Sequence, residues 1–275
     1  MSNITDRAEH LGRQAQRSDW LDRMARVGLV AYGLMHLVIG CLAVQLAFGD
    51  REGSASTSGA IQELSQQPFG GVLVWAVAVG MYLLAGWQVV EVLLGHRERD
   101  GIDLVLKRVT SAGKAVVYAA IGTSALKFAL GEGSGGTEKK TDTMTANLMD
   151  LPAGQVLVGL VGAGIVIVGW ALAFKGVTDR FLRDIDGKGQ GGATGSAYTW
   201  LGRVGYTAKG AALGVVGVLF GYAAITHEAD KSGGLDQALT EVLDQPFGPV
   251  LLAVMGAGIA CFGVFCFAWA RHLDR

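Results

Sequence analysis

Five ionisable residues fall inside long apolar stretches; Lys127, one turn from an outer loop, snorkels outward, which leaves His36, Glu91, Lys114 and Lys209. At mid-bilayer such a group costs about 2.5–3.5 kcal/mol on insertion scales, so each is a functional candidate. Lys114 and Lys209 stand six residues after Arg108 and Arg203, which is about 9 Å along a helix. Glu91 lies near the inner end of its stretch, eleven residues after Gly80 and on the same helical face. Two chemistries are open to this set. Glu91 can pair with one of the lysines, or all three can snorkel to the inner interface. His36, ten residues after Arg26, falls near mid-membrane. There a histidine carries a proton or holds a ligand, or stays neutral and hydrogen-bonds across helices.

Other chemistry has no foothold. His227-Glu228 lacks the second histidine of a zinc-protease helix. No nucleophile elbow of the GxSxG kind occurs, and no phosphate-cradling GxxxxGK[ST]. His36 has no partner histidine at its depth for a haem, and Cys261 and Cys266 have the wrong spacing for a metal. Cys41, Cys261 and Cys266 all lie in apolar stretches and read as small packing residues. The expectation is a chain that is not an enzyme, with no metal, no cofactor and no nucleic-acid partner.

The elements that must position the four residues are written three times. Arg26, Arg108 and Arg203 each open an apolar run. Seven residues on stand Gly33, Ala115 and Gly210; fourteen on, Gly40, Gly122 and Gly217; twenty-one on, Ala47, Ala129 and Ala224. A polar loop, a proline (Pro68, Pro152, Pro246) and a second apolar run follow, with Gly80, Gly164 or Gly258 twelve residues past the proline. Such self-similarity marks a repeat architecture. The six runs, near 26–48, 69–94, 108–130, 153–174, 203–225 and 247–270, are each long enough to span a hydrocarbon core of about 30 Å. Backbone groups there must pair internally, so the spans are helices. A spacing of seven returns a helix to nearly the same face. The small residues therefore form seams where helices approach closely, which is what drives association in lipid. In the fifth span Gly210, Gly214, Gly217 and Gly221 extend the seam as overlapping GxxxG steps. The fold class is an all-α membrane protein of three tandem helical hairpins in a pseudo-threefold bundle.

The boundaries are an amphipathic segment at 1–25, hairpins at 26–100, 101–186 and 200–275, and a Gly-rich flexible linker at 187–199. Residues 1–25 have no apolar core, so the first span is expected to be the insertion signal. Each outer loop ends in a short amphipathic helix, clearest at Leu235–Leu243. The proline after it suits the first turn of the next span. Sixteen of the 23 Lys and Arg fall in the N-terminal segment, the loops 95–107 and 175–203 with the arginines that open the spans, and the C-terminal tail. The opposite loops, 49–68, 131–152 and 226–246, hold four. Lys/Arg-rich short loops stay in the cytoplasm, so both termini are predicted inside a cell membrane crossed six times.

The openings ARVGLVAYG, KRVTSAGKA and GRVGYTAKG, the turns QQPFG and DQPFG, and the two GAGI segments resemble the bacterial domain-of-unknown-function family numbered 1206. That family typically carries three tandem two-helix units. The resemblance covers about residues 20–275 and implies an integral membrane protein with no assigned activity. The second copy departs, with LPAG for QPFG and a longer outer loop. The functional expectation is a non-enzymatic membrane component that packs with lipid or with a membrane-protein partner. The alternative is a small transporter or channel with its path between the repeats.

Overall fold

With no water in the bilayer to pair with, apolar stretches close their backbone hydrogen bonds internally. A computed structural model describes residues 19–49, 55–94, 101–132, 145–149, 153–185, 191–228, 232 and 234–273. Its principal elements are α1 (Asp19–Ala47), α2 (Thr57–Gln66), α3 (Gly70–Leu94), α4 (Ile102–Ala129), α5 (Gly154–Val177), a 3-10 turn (Arg180–Asp184), α6 (Gly192–Thr226), α7 (Leu235–Leu243) and α8 (Gly248–Arg271). Among the described residues there is no strand, only an isolated antiparallel bridge from Ile185 to Leu273.

Five helices, α1, α3, α5, α6 and α8, are long and apolar enough to cross a membrane. The sixth expected span is α4. It has the length, at 28 residues, but Asp103, Lys107, Arg108, Thr110, Ser111 and Lys114 make its first half polar. Two boundaries also differ from expectation. Helix α1 begins at Asp19, so the tail of the segment 1–25 is continuous with the first span; residues 1–18 lie outside the described residues. Helix α6 begins at Gly192, inside the stretch expected to be a flexible linker. The Ser196 and Thr199 hydroxyls donate to the carbonyls of Gly192 and Gly195 at 3.4 and 2.9 Å, so side chains typical of loops here bond back along the helix. The remaining residues 187–190 of that stretch lie outside the described residues.

Pro68 and Pro246 also sit elsewhere than in the first turn of the spans that follow them; Pro152 lies outside the described residues. Gln67–Gly70 and Gln245–Gly248 are tight turns closed by Gly70 N–H to Gln67 carbonyl (2.7 Å) and Gly248 N–H to Gln245 carbonyl (2.8 Å). Proline occupies the second position, where its fixed φ is suited to a turn. The third residue is left-handed in every repeat: Phe69 (φ 64°), Ala153 (φ 61°) and Phe247 (φ 63°). The fourth must be glycine. A Cβ at Gly70, Gly154 or Gly248 would lie 2.1, 2.0 or 1.9 Å from the carbonyl oxygen of Ser65, Leu148 or Leu243. A left-handed L-residue costs about 1–2 kcal/mol. Ala153→Gly is therefore expected to raise stability by about 1 kcal/mol, and thermal melting in detergent checks it.

The seam glycines explain the packing. Gly33 and Gly40 of α1 lie on α8, where an added Cβ would come within 2.7 and 2.6 Å of the Gly263 and Gly256 carbonyl oxygens. Gly210 and Gly217 of α6 lie on α5, at 2.5 and 2.8 Å from the Gly169 and Gly162 oxygens. Gly122 of α4 faces Tyr82 of α3 more loosely at 3.4 Å, and the Tyr82 and Thr123 hydroxyls join at 2.9 Å. Each first span thus sets its seam on the second span of another repeat. Along α6, a Cβ at Gly214 or Gly221 would meet nothing within 4 Å, although their backbone nitrogens lie 2.9 Å from where a Cβ on Gly169 or Gly162 would stand. All four glycines border α5, and the positions closed to a side chain recur every seven residues.

Contacts inside a repeat use different glycines, and here the copies diverge. In the first, a Cβ at Gly80 would meet Ala31 at 2.4 Å; in the third, one at Gly258 would meet Ala208 at 2.3 Å. Gly113 and Gly164 hold these positions in the second, and both meet nothing within 4 Å. Helices α4 and α5 do not pack along each other, and the spans neighbour one another in the order α4, α3, α1, α8, α6, α5. The register supplies a cause. Gly28 and Gly205, two residues after their arginines, touch the partner helix so closely that a Cβ would lie 2.8 Å from the Gly80 oxygen or 2.6 Å from Phe262 Cα. Thr110 stands there in the second repeat, and its branched side chain does not allow that approach.

Candidate functional site at the bundle centre

Lys209 comes from α6 and turns to the centre rather than to the inner interface. Its ammonium donates to the Tyr32 hydroxyl of α1 and lies 3.0 Å from His36 Nε2, one turn further along α1. His36 Nδ1 is 2.9 Å from the Tyr32 carbonyl oxygen. A carbonyl only accepts, so Nδ1 carries the proton and Nε2 offers its lone pair to Lys209. Aromatic faces complete the surroundings, with Nζ 4.1 Å from the Phe262 ring centroid and 4.5 Å from that of Tyr32. Such contacts stabilise a cation by about 2 kcal/mol when water is excluded. Tyr118 of α4 stands edge-on to Tyr32 at 5.2 Å, and its hydroxyl is hydrogen-bonded to that of Tyr32. Among the described residues no carboxylate forms an ion pair with Lys209. Tyr32, His36 and Lys209 each keep accessible surface although they sit among the helices.

A second group of charges lies around the last turn of α5. Lys175, late in α5, binds Asp184 Oδ2 at 2.6 Å and stands 4.9 Å from the Tyr206 ring centroid and 5.8 Å from that of Trp269. Lys114 is exposed, and the charged groups around it are Lys175, Asp184, Lys107 and Glu91. Glu91 is half-buried on α3. The structure thus brings His36 to Lys209, and Glu91 into the surroundings of Lys114; it gives Lys209 the Tyr32 hydroxyl and His36 as hydrogen-bond partners, not Glu91. Arg203 of α6 fixes the loop that follows α5 through two bonds to Asp179 at 2.6 and 2.5 Å, which hold that carboxyl below its usual range.

Of the seam residues, Gly33, Gly40, Gly80, Gly210, Gly217 and Gly258 are at close contacts, Gly122 at a loose one, and Gly164 at none. Sequence reasoning missed Tyr32, although the register holds it. Tyr32, Lys114 and Lys209 are all six residues after the opening arginine, and His36, Tyr118 and Leu213 are all ten after. The residues that meet at the centre come from these two positions: both in the first repeat, Tyr118 from the second and Lys209 from the third, while Lys114 stays exposed. Phe262 and Lys175 carried no signal, since an aromatic in an apolar span and a lysine at its inner end have ordinary reasons to be there. Among the described residues no cluster of His, Cys, Asp or Glu could hold a metal ion.

The family model for a Domain of Unknown Function (DUF1206) matches three times, over residues 27–95, 109–179 and 204–272. An uncharacterized protein of Bacillus subtilis (strain 168), YxxB, is 30% identical over 250 residues, covering 90% of this chain and 89% of its own. No solved structure matches the chain.

Proposed function

The chain belongs to the DUF1206 family, whose domain carries no assigned function, and from that premise we propose a non-enzymatic integral membrane protein that holds a lipid or membrane-protein partner between its repeats. The observation that carries this reading is the parted second repeat. Gly113 and Gly164 face open space where both other repeats are closed, so a helix pair in a membrane presents an unfilled side. A photo-crosslinking amino acid at Gly164, in cells, tests it. Capture of lipid or of a second membrane protein is expected; capture only of α4 of the same chain would mean that the repeat closes on itself.

The proposed architecture is three hairpins about an approximate threefold axis. It is supported by the cyclic seam contacts and by the convergence of repeat-equivalent residues on the centre. The proposed setting is a cell membrane with both termini inside, on the distribution of Lys and Arg. With Cys41, Cys261 and Cys266 replaced, Glu132→Cys and Glu228→Cys should react with an impermeant thiol reagent in intact cells, and Ser196→Cys should not. All three positions are exposed. The reverse pattern would invert the topology.

A transporter is the second reading. Polar side chains occur in two groups, Lys114 with Lys175 and Lys209 with His36, a succession that a closed scaffold does not need. Flux of an anionic solute in proteoliposomes, abolished by Lys209→Met, would favour it.

A further inference from the structure

We propose that the opening between α4 and α5 is a binding site for one anionic phospholipid of the inner leaflet, with its headgroup at Lys114 and Lys175 and an acyl chain against Gly113 and Gly164. The inference rests on the partner reading above and names the partner. Three observations support it.

The first is shape. Gly113 and Gly164 leave a side-chain-free strip, and the flanking residues are exposed aliphatics: Val116 and Val117 on α4, Leu160 and Val161 on α5. Helices that do not touch inside a bilayer are separated by lipid, because no other solvent is present there.

The second is charge. Around Lys114 are Lys107 and Lys175 against the two carboxylates Glu91 and Asp184. Asp184 is already engaged by Lys175 at 2.6 Å. This mouth carries one more cation than anion, which a single phosphodiester would balance. A zwitterionic headgroup brings its own cation and leaves the excess in place.

The third is placement. Lys114 directly follows Gly113 in α4, and Lys175 is eleven residues after Gly164 toward the inner end of α5, about 16 Å along the helix. A headgroup at these lysines therefore places its acyl chain alongside Gly164, as an inner-leaflet lipid requires.

The test uses the full chain, released from membranes and measured by native mass spectrometry after titration with phosphatidylglycerol or with phosphatidylcholine of the same chains. Phosphatidylglycerol should be retained preferentially. Lys114→Gln should weaken its retention about fivefold, the worth of one lysine beside an anionic lipid, and leave phosphatidylcholine unchanged. Gly164→Phe, at a position with free space, fills the acyl track and should weaken both. Equal retention of the two lipids, indifferent to Lys114→Gln but reduced by Gly164→Phe, overturns the headgroup assignment and leaves a lipid partner standing. Retention of neither lipid, or indifference to both variants, overturns the site and the lipid reading together.

Discussion

Gly40→Ala is expected to destabilise the purified protein by about 3 kcal/mol, read as a large fall in melting temperature in detergent. One methyl group does this because it has nowhere to go. The new Cβ would lie 2.5 Å from the Ala260 nitrogen and 2.6 Å from the Gly256 carbonyl oxygen. Both are backbone atoms of α8, which cannot rotate away as a side chain can. The helices must separate, and separation loses dispersion contacts along the whole α1–α8 face. Gly217→Ala should behave similarly, at 2.8 Å from both the Gly162 oxygen and the Val166 nitrogen. The decisive comparison is Gly214→Ala on the same helix, where nothing lies within 4 Å. If Gly40→Ala and Gly214→Ala melt alike, close backbone approach is not what joins these spans.

Lys209→Met is expected to do the opposite, raising the melting temperature by the equivalent of about 1–4 kcal/mol. Lysine's contacts are a hydroxyl, an imidazole nitrogen and two ring faces. Burial of an amine without an opposing carboxylate costs more than those contacts return. Methionine fills the same volume, and little is stranded by the change. Tyr32 keeps its bond to Tyr118, and His36 keeps its bond to the Tyr32 carbonyl. Only Nε2 of His36 loses a donor. A protein that carries a costly lysine at its centre is using it, because substitutions that only stabilise are readily available to natural sequences. Thermal melting and partner capture from native lipid should therefore separate, the first rising and the second falling. A Lys209→Met protein that melts well below the parent would make the lysine a structural brace.

Much of this was legible because membrane helices are governed by few variables. Apolar length gave five of the six expected spans, and the spacing of small residues by seven gave faces that do meet. What escaped has specific causes. Spacing showed that Gly40 approaches another helix but not which one; that each first span meets the second span of a different repeat is visible only in the structure. Spacing did not distinguish, within the GxxxG steps of α6, the glycines whose own Cβ would clash, Gly210 and Gly217, from Gly214 and Gly221, which border α5 through backbone nitrogen alone. The parting of α4 from α5 was written in KRVT, where ARVG and GRVG have glycine, yet a single threonine reads as ordinary substitution until the contact it prevents is known. For Lys209 the sequence offered Glu91 or the membrane edge and the structure gives Tyr32 and His36, since register fixes how far along its helix a group lies and not the direction of a long side chain. The left-handed residue after each proline gave no sign, because phenylalanine and alanine rarely adopt that conformation.

Those turns do more than reverse the chain. The left-handed backbone of Phe69 and Phe247 throws both rings outward, leaving them 84% and 83% exposed at the outer ends of α3 and α8. In the second repeat the same left-handed position is held by Ala153, which presents only a methyl group. The repeat whose turn carries no ring is also the one whose two spans, α4 and α5, stand apart.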